Sequence, residues 1–335
     1  MSDPEPAPAR PRARWPALVV GIVAAVVLVE GLLRLLAVSM PPVPLYPGDR
    51  DPVRDATWDA AIGWKLPPEA EIPEVTADYS VVYRSNSQGF RSSRDFPPPS
   101  GRERIVFLGD SFTFGSGVEE DETFVARVGA ARPGSETLNL GIGGFGIDQM
   151  WLTLVHYGLE LEPSRVVLSF IRNDLDRGLS AYRLGHVWQE KPLFRLVDGE
   201  LERMTAENRP GPFRSWLAQD LRWTGLWRRV ENSLSRRWPI GYRWRLNRAL
   251  FEAVRNTCAA ADLPLLVVHL PVNRRNPVPL FEREFAEMGI DYLDLTPLLP
   301  EDAESLYFPR DHHFNAAGHD FAARTIVRAL DSSGA

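Results

Sequence analysis

The chain has 335 residues, of which 44% are hydrophobic and 24% charged, so it is long enough for one large globular domain with appendages or for two small domains. Its net charge of −6 argues against nucleic acid as the main partner, and its single cysteine, Cys258, excludes a disulfide framework and a cysteine-based metal site. The 29 prolines cluster in the first hundred residues, so we expect the compact core to lie beyond them.

The N-terminus is predicted to hold a disordered cytoplasmic tail followed by a transmembrane helix. Residues 1–15 are rich in Pro, Ala and Arg, and residues 16–38 are apolar but reach the length of a membrane span only if Glu30 and Arg34 are included. Three arginines precede this segment and no matching cluster follows it, which predicts a membrane-anchored chain whose remainder lies on the extracytoplasmic side. The alternative is a signal peptide cleaved near Ala37-Val38-Ser39, which exports the chain equally.

Residues 39–100 form a proline-rich stretch that we expect to pack against the main domain as an extension. Alternating residues in Tyr79–Arg84 predict a short strand, and Asn86–Arg91 reads as a turn. The aromatic residues of this stretch are expected to serve the packing rather than to contact a ligand: Trp58, Trp64 and Tyr79.

Residues 101–331 show apolar strands alternating with helical segments, which predicts an α/β domain with a parallel sheet. The predicted strands are Ile105–Leu108, Glu136–Leu140, Arg165–Ile171, Leu263–Leu270 and Gly289–Leu295. The predicted helices are Glu119–Ala131, Ile147–Leu161 and Ala316–Leu330.

A long insert, at about residues 175–242, separates the third and fourth predicted strands. It mixes many arginines with five tryptophans: Trp188, Trp216, Trp223, Trp227 and Trp238. Such a mixture is found at membrane surfaces, on carbohydrate platforms and at RNA contacts. The interpretation we favour is a helical cap whose tryptophans face the core and whose arginines face water.

The first strand ends abruptly in Gly109-Asp110-Ser111. Ligands of open α/β sheets bind at the carboxyl ends of the strands, so a serine here is a candidate nucleophile. The alternative is that Asp110 or Ser111 only caps the helix that follows.

Two more strand ends supply candidate hydrogen-bond donors at the same edge. Gly141, Gly143 and Gly146 spell G-x-G-x-x-G, but the run follows the second strand and lacks the acidic residue of a dinucleotide site. Such a loop can instead direct a backbone N–H at an oxyanion. Asn173 ends the third strand, and its neutral side-chain amide is also suited to an oxyanion, although Asn there often only forms a turn.

Aspartate and histidine residues precede the last predicted helix. His313 and His319 are six residues apart and the segment lacks an H-E-x-x-H spacing, so a zinc site is disfavoured. A loop with Asp311 close to His313 suits a general base and the carboxylate that orients it.

Taken in order, these segments resemble the SGNH (GDSL-type) hydrolases. Gly109–Ser111 looks like the family's first block and Asn139–Gly144 like the second. Ile171–Asp174 is similar to the third block, with isoleucine in place of its leading glycine. In the last block the aspartate stands two residues before His313 instead of three, a form similar to the SGNH-type polysaccharide O-acetyltransferases and related membrane-anchored members. Asn86–Arg91 also looks like that anchored group.

The resemblance implies a three-layer, doubly wound, flavodoxin-like fold with a five-stranded parallel sheet. It implies Ser111 as nucleophile, His313 as base and Asp311 as its orienting acid. The implied oxyanion hole combines the N–H groups of Ser111 and Gly144, with Gly141 as the fallback, and the amide of Asn173. No metal or organic cofactor is implied.

The sequence therefore predicts a serine esterase that acts on an O-acylated glycan, a lipid or a small ester of the cell envelope. A first alternative is an O-acyltransferase of a cell-surface polysaccharide, because the same triad serves both reactions. A second alternative is an inactive envelope protein that binds a glycan or a partner through the Trp/Arg insert.

Overall fold

The computed structural model describes residues 57–179, 182–183, 189–204, 241–272 and 281–332, together with six helical residues between 21 and 28. In these ranges the strands are β1 (Thr57–Asp59), β2 (Gly63–Lys65), β3 (Glu71–Val75), β4 (Ser80–Arg84), β5 (Glu103–Leu108), β6 (Ser135–Asn139), β7 (Arg165–Phe170), β8 (Tyr182–Arg183), β9 (Gln189–Glu190), β10 (Phe194–Val197), β11 (Glu200–Arg203), β12 (Leu265–His269) and β13 (Asp291–Asp294). The α-helices are α1 (Ser111–Phe114), α2 (Phe124–Ala131), α3 (Ile147–Thr153), α4 (Asp174–Arg177), α5 (Gly241–Ala260), α6 (Phe281–Glu287) and α7 (Ala316–Ser332).

Five strands form the central sheet in the order β13-β12-β7-β5-β6, and every neighbouring pair is parallel. Numbered along the chain from β5, this order reads 2-1-3-4-5, which is the flavodoxin-like, doubly wound arrangement. The predicted α/β class with a five-stranded parallel sheet is confirmed.

Successive side chains of the central strands enter two separate cores. Val106 and Leu108 of β5 join the core that α3, α5 and α6 cover, whereas Ile105 and Phe107 join the core covered by α2 and α7. Because both faces of the sheet are buried, its central strands read as continuous apolar runs. The result is three layers, with helices on both sides of the sheet.

Two predicted helices are broken where the sequence suggested continuity. The segment predicted as one helix from Glu119 is a short 3-10 turn followed by α2, because Thr123 has an extended backbone and caps α2 by accepting a hydrogen bond from Ala126 N. The helix predicted to run from Ile147 changes after Thr153 into a π turn and then a 3-10 turn.

The extension packs on the domain through its two hairpins, β1–β2 and β3–β4, and the loop that follows. Trp64 is fully buried and its Nε1 donates to Gly143 O at 3.1 Å. Arg91 is buried as well, and it donates to Phe114 O at 2.8 Å, at the C-terminal end of α1. Trp58 differs from the expectation for aromatic residues of this stretch, because it is 62% exposed and so contributes little to the packing.

The described part of the insert differs from the predicted helical cap. After the single turn of α4, it contains the antiparallel pairs β8–β9 and β10–β11. Asp198 and Gly199 join β10 to β11 with φ angles of 52° and 92°, which is the two-residue hairpin turn that an Asp-Gly pair favours. The Asp-Gly pair is a sequence signal for a hairpin that the prediction of a helical cap did not take into account. The five tryptophans of the insert lie outside the described residues.

Among the described residues, no helix is long and apolar enough to cross a membrane. The tail predicted at residues 1–15 lies outside them, as does most of the segment 16–38.

Candidate active site

The turn after β5 places Ser111 at the carboxyl edge of the sheet. A Cβ on Gly109 would lie 1.9 Å from Thr113 Oγ1, so only glycine fits where the chain leaves the strand. Asp110 caps α1 by accepting from Phe112 N at 2.9 Å. The capping alternative therefore holds for Asp110. Its second oxygen, Oδ2, lies 3.3 Å from Ser111 Oγ, and this long contact leaves the hydroxyl able to meet a closer partner.

That partner is His313. His313 Nε2 lies 2.7 Å from Ser111 Oγ, and His313 Nδ1 is hydrogen-bonded to Asp311 Oδ1. The structure thus brings together the three residues predicted for the triad, although 202 positions separate the serine from the histidine. This is the connectivity of a nucleophile, a base and an orienting carboxylate.

The spacing of one residue between the acid and the histidine depends on a tight loop. His312 adopts a left-handed backbone with a φ of 67°. His312 N donates to Phe308 O at 3.0 Å and Phe308 N donates to His313 O at 2.9 Å, so the loop closes on itself. In this turn Asp311 lies beside the imidazole, and its Oδ1 also accepts from His313 N at 3.1 Å.

The contacts in this loop shift the pKa values of Asp311 and His313 in opposite directions. Burial alone would raise the pKa of Asp311, but the hydrogen bonds from His313 and from the hydroxyl of Tyr79 hold that pKa below its ordinary value. Burial alone would lower the pKa of His313, but the adjacent Asp311 carboxylate raises it above its ordinary value. The pair therefore favours an ionised aspartate beside an imidazole that readily accepts a proton.

The glycine loop supplies a free backbone donor at Gly144. A turn from Ile142 to Phe145 gives Gly144 a φ of 81°, and within the described residues its N–H has no acceptor. Gly141 N, by contrast, already donates to Asn139 Oδ1 at 2.9 Å. Between the two glycines considered, the structure leaves Gly144 available for an oxyanion.

The remaining predicted donors also lack partners in the described ranges of the chain. The N–H of Ser111 begins α1 without an acceptor there, as the first N–H groups of a helix do. Asn173 is exposed at the start of α4, and its side chain makes no capping hydrogen bond.

Arg177 joins three of the strand-end loops and was not predicted from the sequence. Its Nη1 donates to Asp110 Oδ2 at 3.0 Å, to Phe145 O at 3.0 Å and to Asp174 Oδ1. Both carboxylates are fully buried, and burial together with the charge of Asp110 raises the pKa of Asp174 well above its ordinary value. Only the spacing of Asp174 and Arg177 on one helical turn could have hinted at this cluster.

The other candidates from the sequence do not approach the triad as ligands. His319 is buried, and its Nδ1 accepts from Phe124 N at 3.1 Å. Within the described parts of the chain, no three His, Cys, Asp or Glu side chains cluster in a way that could hold a metal ion.

Comparison with known proteins gives one family match. Residues 247–335, the end of the chain that carries Asp311 and His313, match the model of the family described as "SGNH hydrolase-like domain, acetyltransferase AlgX". A comparison with curated proteins gave no significant match.

Several solved structures are similar at low sequence identity. One is a lipolytic protein of the G-D-S-L family from Desulfitobacterium hafniense DCB-2, with 14% identity over 67% of this chain and 98% of that one, and a TM-score of 0.41. A lipase/acylhydrolase from Enterococcus faecalis has 15% identity over 69% and 96%, with a TM-score of 0.39. The acetyl xylan esterase AlAXEase has 16% identity over 68% and 99%, with a TM-score of 0.42. The family match confirms the resemblance to the SGNH hydrolases for residues 247–335 of this chain.

Proposed function

We propose that the chain is a serine esterase that cleaves O-acyl bonds through an acyl-enzyme. One observation carries the proposal, namely the 2.7 Å contact between Ser111 Oγ and His313 Nε2, with Asp311 on the other nitrogen of the ring. A serine hydroxyl is a weak nucleophile until an adjacent base can take its proton.

In the first step, His313 takes the proton of Ser111 as Oγ attacks the carbonyl carbon of the ester. Asp311 keeps Nδ1 protonated and stabilises the imidazolium. The imidazolium then gives its proton to the departing alcohol oxygen, and the C–O bond of the ester breaks. The acyl group remains on Ser111.

In the second step, His313 takes a proton from water, whose oxygen attacks the acyl carbon. The attack forms a tetrahedral intermediate. When the intermediate collapses, the bond between the acyl carbon and Ser111 Oγ breaks, His313 returns the proton to Oγ, and the carboxylic acid is released. In both steps the carbonyl oxygen of the acyl group becomes negatively charged. We propose that this oxyanion is stabilised by the N–H groups of Ser111 and Gly144 and by the side-chain amide of Asn173. Each such donor typically contributes about 3 kcal/mol to lowering the barrier.

We propose an O-acylated glycan of the cell envelope as the substrate, with acetyl as the acyl group. The family match supports the acetyl group, because the matched family is described as an acetyltransferase. The proposed location rests on the apolar segment 16–38, which would hold the domain on the extracytoplasmic side of the membrane. Cell fractionation of the full chain, with protease added from outside, would test that location.

The family description favours a second candidate function, which is transfer of an acyl group to a sugar hydroxyl. The atoms move as in hydrolysis, except that the acceptor hydroxyl replaces water in the second step. A transferase must therefore exclude water from the acyl-enzyme, whereas an esterase admits it.

The test is ester turnover by the full chain with 4-nitrophenyl acetate, with and without an oligosaccharide acceptor. We expect turnover to vanish in Ser111→Ala and in His313→Asn. His312→Asn is the matched control, because asparagine tolerates a left-handed backbone and His312 is exposed beside the reacting histidine. Acyl release that requires the acceptor would favour the transferase.

The absence of both turnover and labelling of Ser111 by a fluorophosphonate would refute the proposed function. That outcome would favour the alternative of another class, an inactive envelope protein that binds a glycan or a partner.

A further inference from the structure

The turn between β3 and β4 lies against the loop that carries the acid of the triad. Asp78 Oδ2 accepts from Arg310 N at 2.8 Å and from Asp311 N at 2.9 Å. Tyr79 OH donates to Asp311 Oδ2 at 3.3 Å. Asp78 and Tyr79 of the extension, 233 and 232 positions before Asp311, thus hold both the backbone and the carboxylate of the triad's acid.

The β3–β4 turn is itself held by hydrogen bonds and by a ring contact. Thr76 Oγ1 accepts from Asp78 N at 3.1 Å and from Tyr79 N at 3.2 Å, which fixes the two residues relative to the hairpin. The ring of Tyr79 packs on Phe308, with 4.9 Å between the ring centroids. It also covers Gly117, where an added Cβ would lie 2.9 Å from the ring.

The hydroxyl of Tyr79 keeps its proton and can donate a hydrogen bond. Burial raises its pKa above the ordinary value, and the charges of Glu74 and Asp311 raise it further. The phenol therefore stays protonated at neutral pH. Its hydroxyl lies within reach of both Glu74 and Asp311, and its hydrogen bond to Asp311 Oδ2 spans 3.3 Å.

With these contacts, both oxygens of Asp311 are engaged on different sides. Oδ1 accepts from Nδ1 and from the backbone N of His313, and Oδ2 accepts from Tyr79. The carboxylate is about a quarter exposed, so without the hairpin water would compete for Oδ2 and for the backbone N–H groups that Asp78 holds.

We propose that the β3–β4 hairpin belongs to the catalytic apparatus, with Asp78 and Tyr79 as positioning residues that fix Asp311 beside His313. The inference rests on the proposed esterase function. It gives the extension a role in the reaction, since the imidazolium formed during attack is stabilised only by a carboxylate that is already in place. Both residues act through Asp311, so their loss should lower kcat and leave KM unchanged.

Two measurements on the full chain test the inference. The first is hydrogen exchange of a peptide that spans residues 308–314, which requires no reaction. The second is the pair kcat and KM for 4-nitrophenyl acetate. The variants are Asp78→Ala, Asp78→Asn and Tyr79→Phe. Glu71→Ala is the control, because it removes an exposed ion pair with Arg84 on the same hairpin, away from the loop.

In Asp78→Ala we expect faster exchange in the 308–314 peptide and a kcat lower by about tenfold to a hundredfold, at unchanged KM. Asp78→Asn keeps an acceptor oxygen and should recover most of both effects. Tyr79→Phe keeps the ring packing and should lower kcat by about threefold to tenfold. Glu71→Ala should match the wild-type chain in both measurements.

Equal exchange and equal kcat in Asp78→Ala and Glu71→Ala would overturn the inference. A rise in KM at constant kcat would overturn it as well, because it would place Asp78 in substrate binding. A wild-type chain that neither turns over the ester nor reacts with a fluorophosphonate would refute the proposed function instead. The exchange comparison would then still decide whether the hairpin fixes the loop.

Discussion

Two His–Asp pairs lie at the carboxyl edge of the sheet among the residues that the structure describes, and they differ in what surrounds them. His313 and Asp311 lie on the loop before α7, and the histidine side chain is 24% exposed beside Ser111. His269 ends β12 and Asp294 ends β13, with His269 Nδ1 3.0 Å from Asp294 Oδ1. The side chain of His269 is only 2% exposed.

Both pairs hold their aspartate in the ionised form by the same means. Burial alone would raise the pKa of Asp294, but hydrogen bonds from His269 and Thr296 lower it, as His313 and Tyr79 do for Asp311. The ring of His269, however, packs on Phe170 with centroids 5.2 Å apart. In our proposal a carboxylate on Nδ1 is not enough to make a histidine catalytic, because the histidine also needs a nucleophile on Nε2 and access for a substrate.

The two pairs should differ most when each histidine is replaced in turn. His313→Gln should lower kcat/KM by about 10⁴-fold or more, because Ser111 loses its base. His269→Gln should leave kcat/KM within about threefold and lower the free energy of unfolding by about 1–3 kcal/mol, because a buried hydrogen bond is lost. Ester kinetics and urea unfolding measure the two effects. Loss of turnover in a folded His269→Gln chain would contradict the assignment.

The aspartates provide the next largest contrast. Asp311→Asn keeps the shape of the side chain but removes the charge that stabilises the imidazolium, so kcat should fall by about 10²- to 10⁴-fold. Asp294→Asn should affect unfolding alone. The same kinetic and urea measurements apply. If Asp311→Asn is as active as Asp294→Asn, another group orients His313.

The residues that the sequence predicted share one property, which is a position fixed by local chain geometry. Ser111, Gly144 and Asn173 each follow a predicted strand, and strands of a parallel sheet end at one edge. The parallel sheet follows from the same alternation of apolar strands and helices, whereas the flavodoxin-like strand order was implied by the resemblance to the SGNH hydrolases. Such features are readable because they depend on periodicity and on turn residues near each other in the chain.

The features that the sequence did not predict depend on contacts between distant segments. Arg177 meets Asp110 across 67 positions, and Tyr79 meets Asp311 across 232. His269 and Asp294 lie on adjacent strands whose register is set by the whole sheet. No local pattern encodes these pairings. The Asp-Gly turn of β10–β11, by contrast, was a local signal that the tryptophans and arginines of the insert obscured.

The pH dependence of activity sharpens the comparison further. Because Asp311 raises the pKa of His313, the acid limb of kcat/KM should have its midpoint above about 6.5, the ordinary value for imidazole. Activity is lost as pH falls through this midpoint, since the protonated ring cannot accept the serine proton. In Asp311→Asn the midpoint should move down, and in Asp294→Asn it should not move. A midpoint unaffected by Asp311→Asn would show that the carboxylate does not set the pKa of His313.

A third histidine, His319, has no carboxylate partner among the described residues. It extends the comparison from activity to the stability of the fold, where the expected effect is smallest. His319 is buried, and burial lowers its pKa to about 3, with further lowering by the charges of Arg91 and Arg127. Below about pH 6.5 the unfolded chain binds a proton that folded His319 does not, so the free energy of unfolding falls as the pH falls. The loss is about 1.4 kcal/mol per pH unit, or about 2 kcal/mol by pH 5.

His319→Gln removes this titration while the glutamine side chain can still accept from Phe124 N. The variant is expected to be less stable at pH 7, so the measurement is the slope of the unfolding free energy against pH between 5 and 6.5. That slope should be smaller in His319→Gln than in the wild-type chain. His156→Gln is the matched control, because it makes the same substitution at an exposed histidine. Equal slopes in the two variants would mean that His319 is charged in the folded chain, and that burial alone does not keep a histidine neutral here.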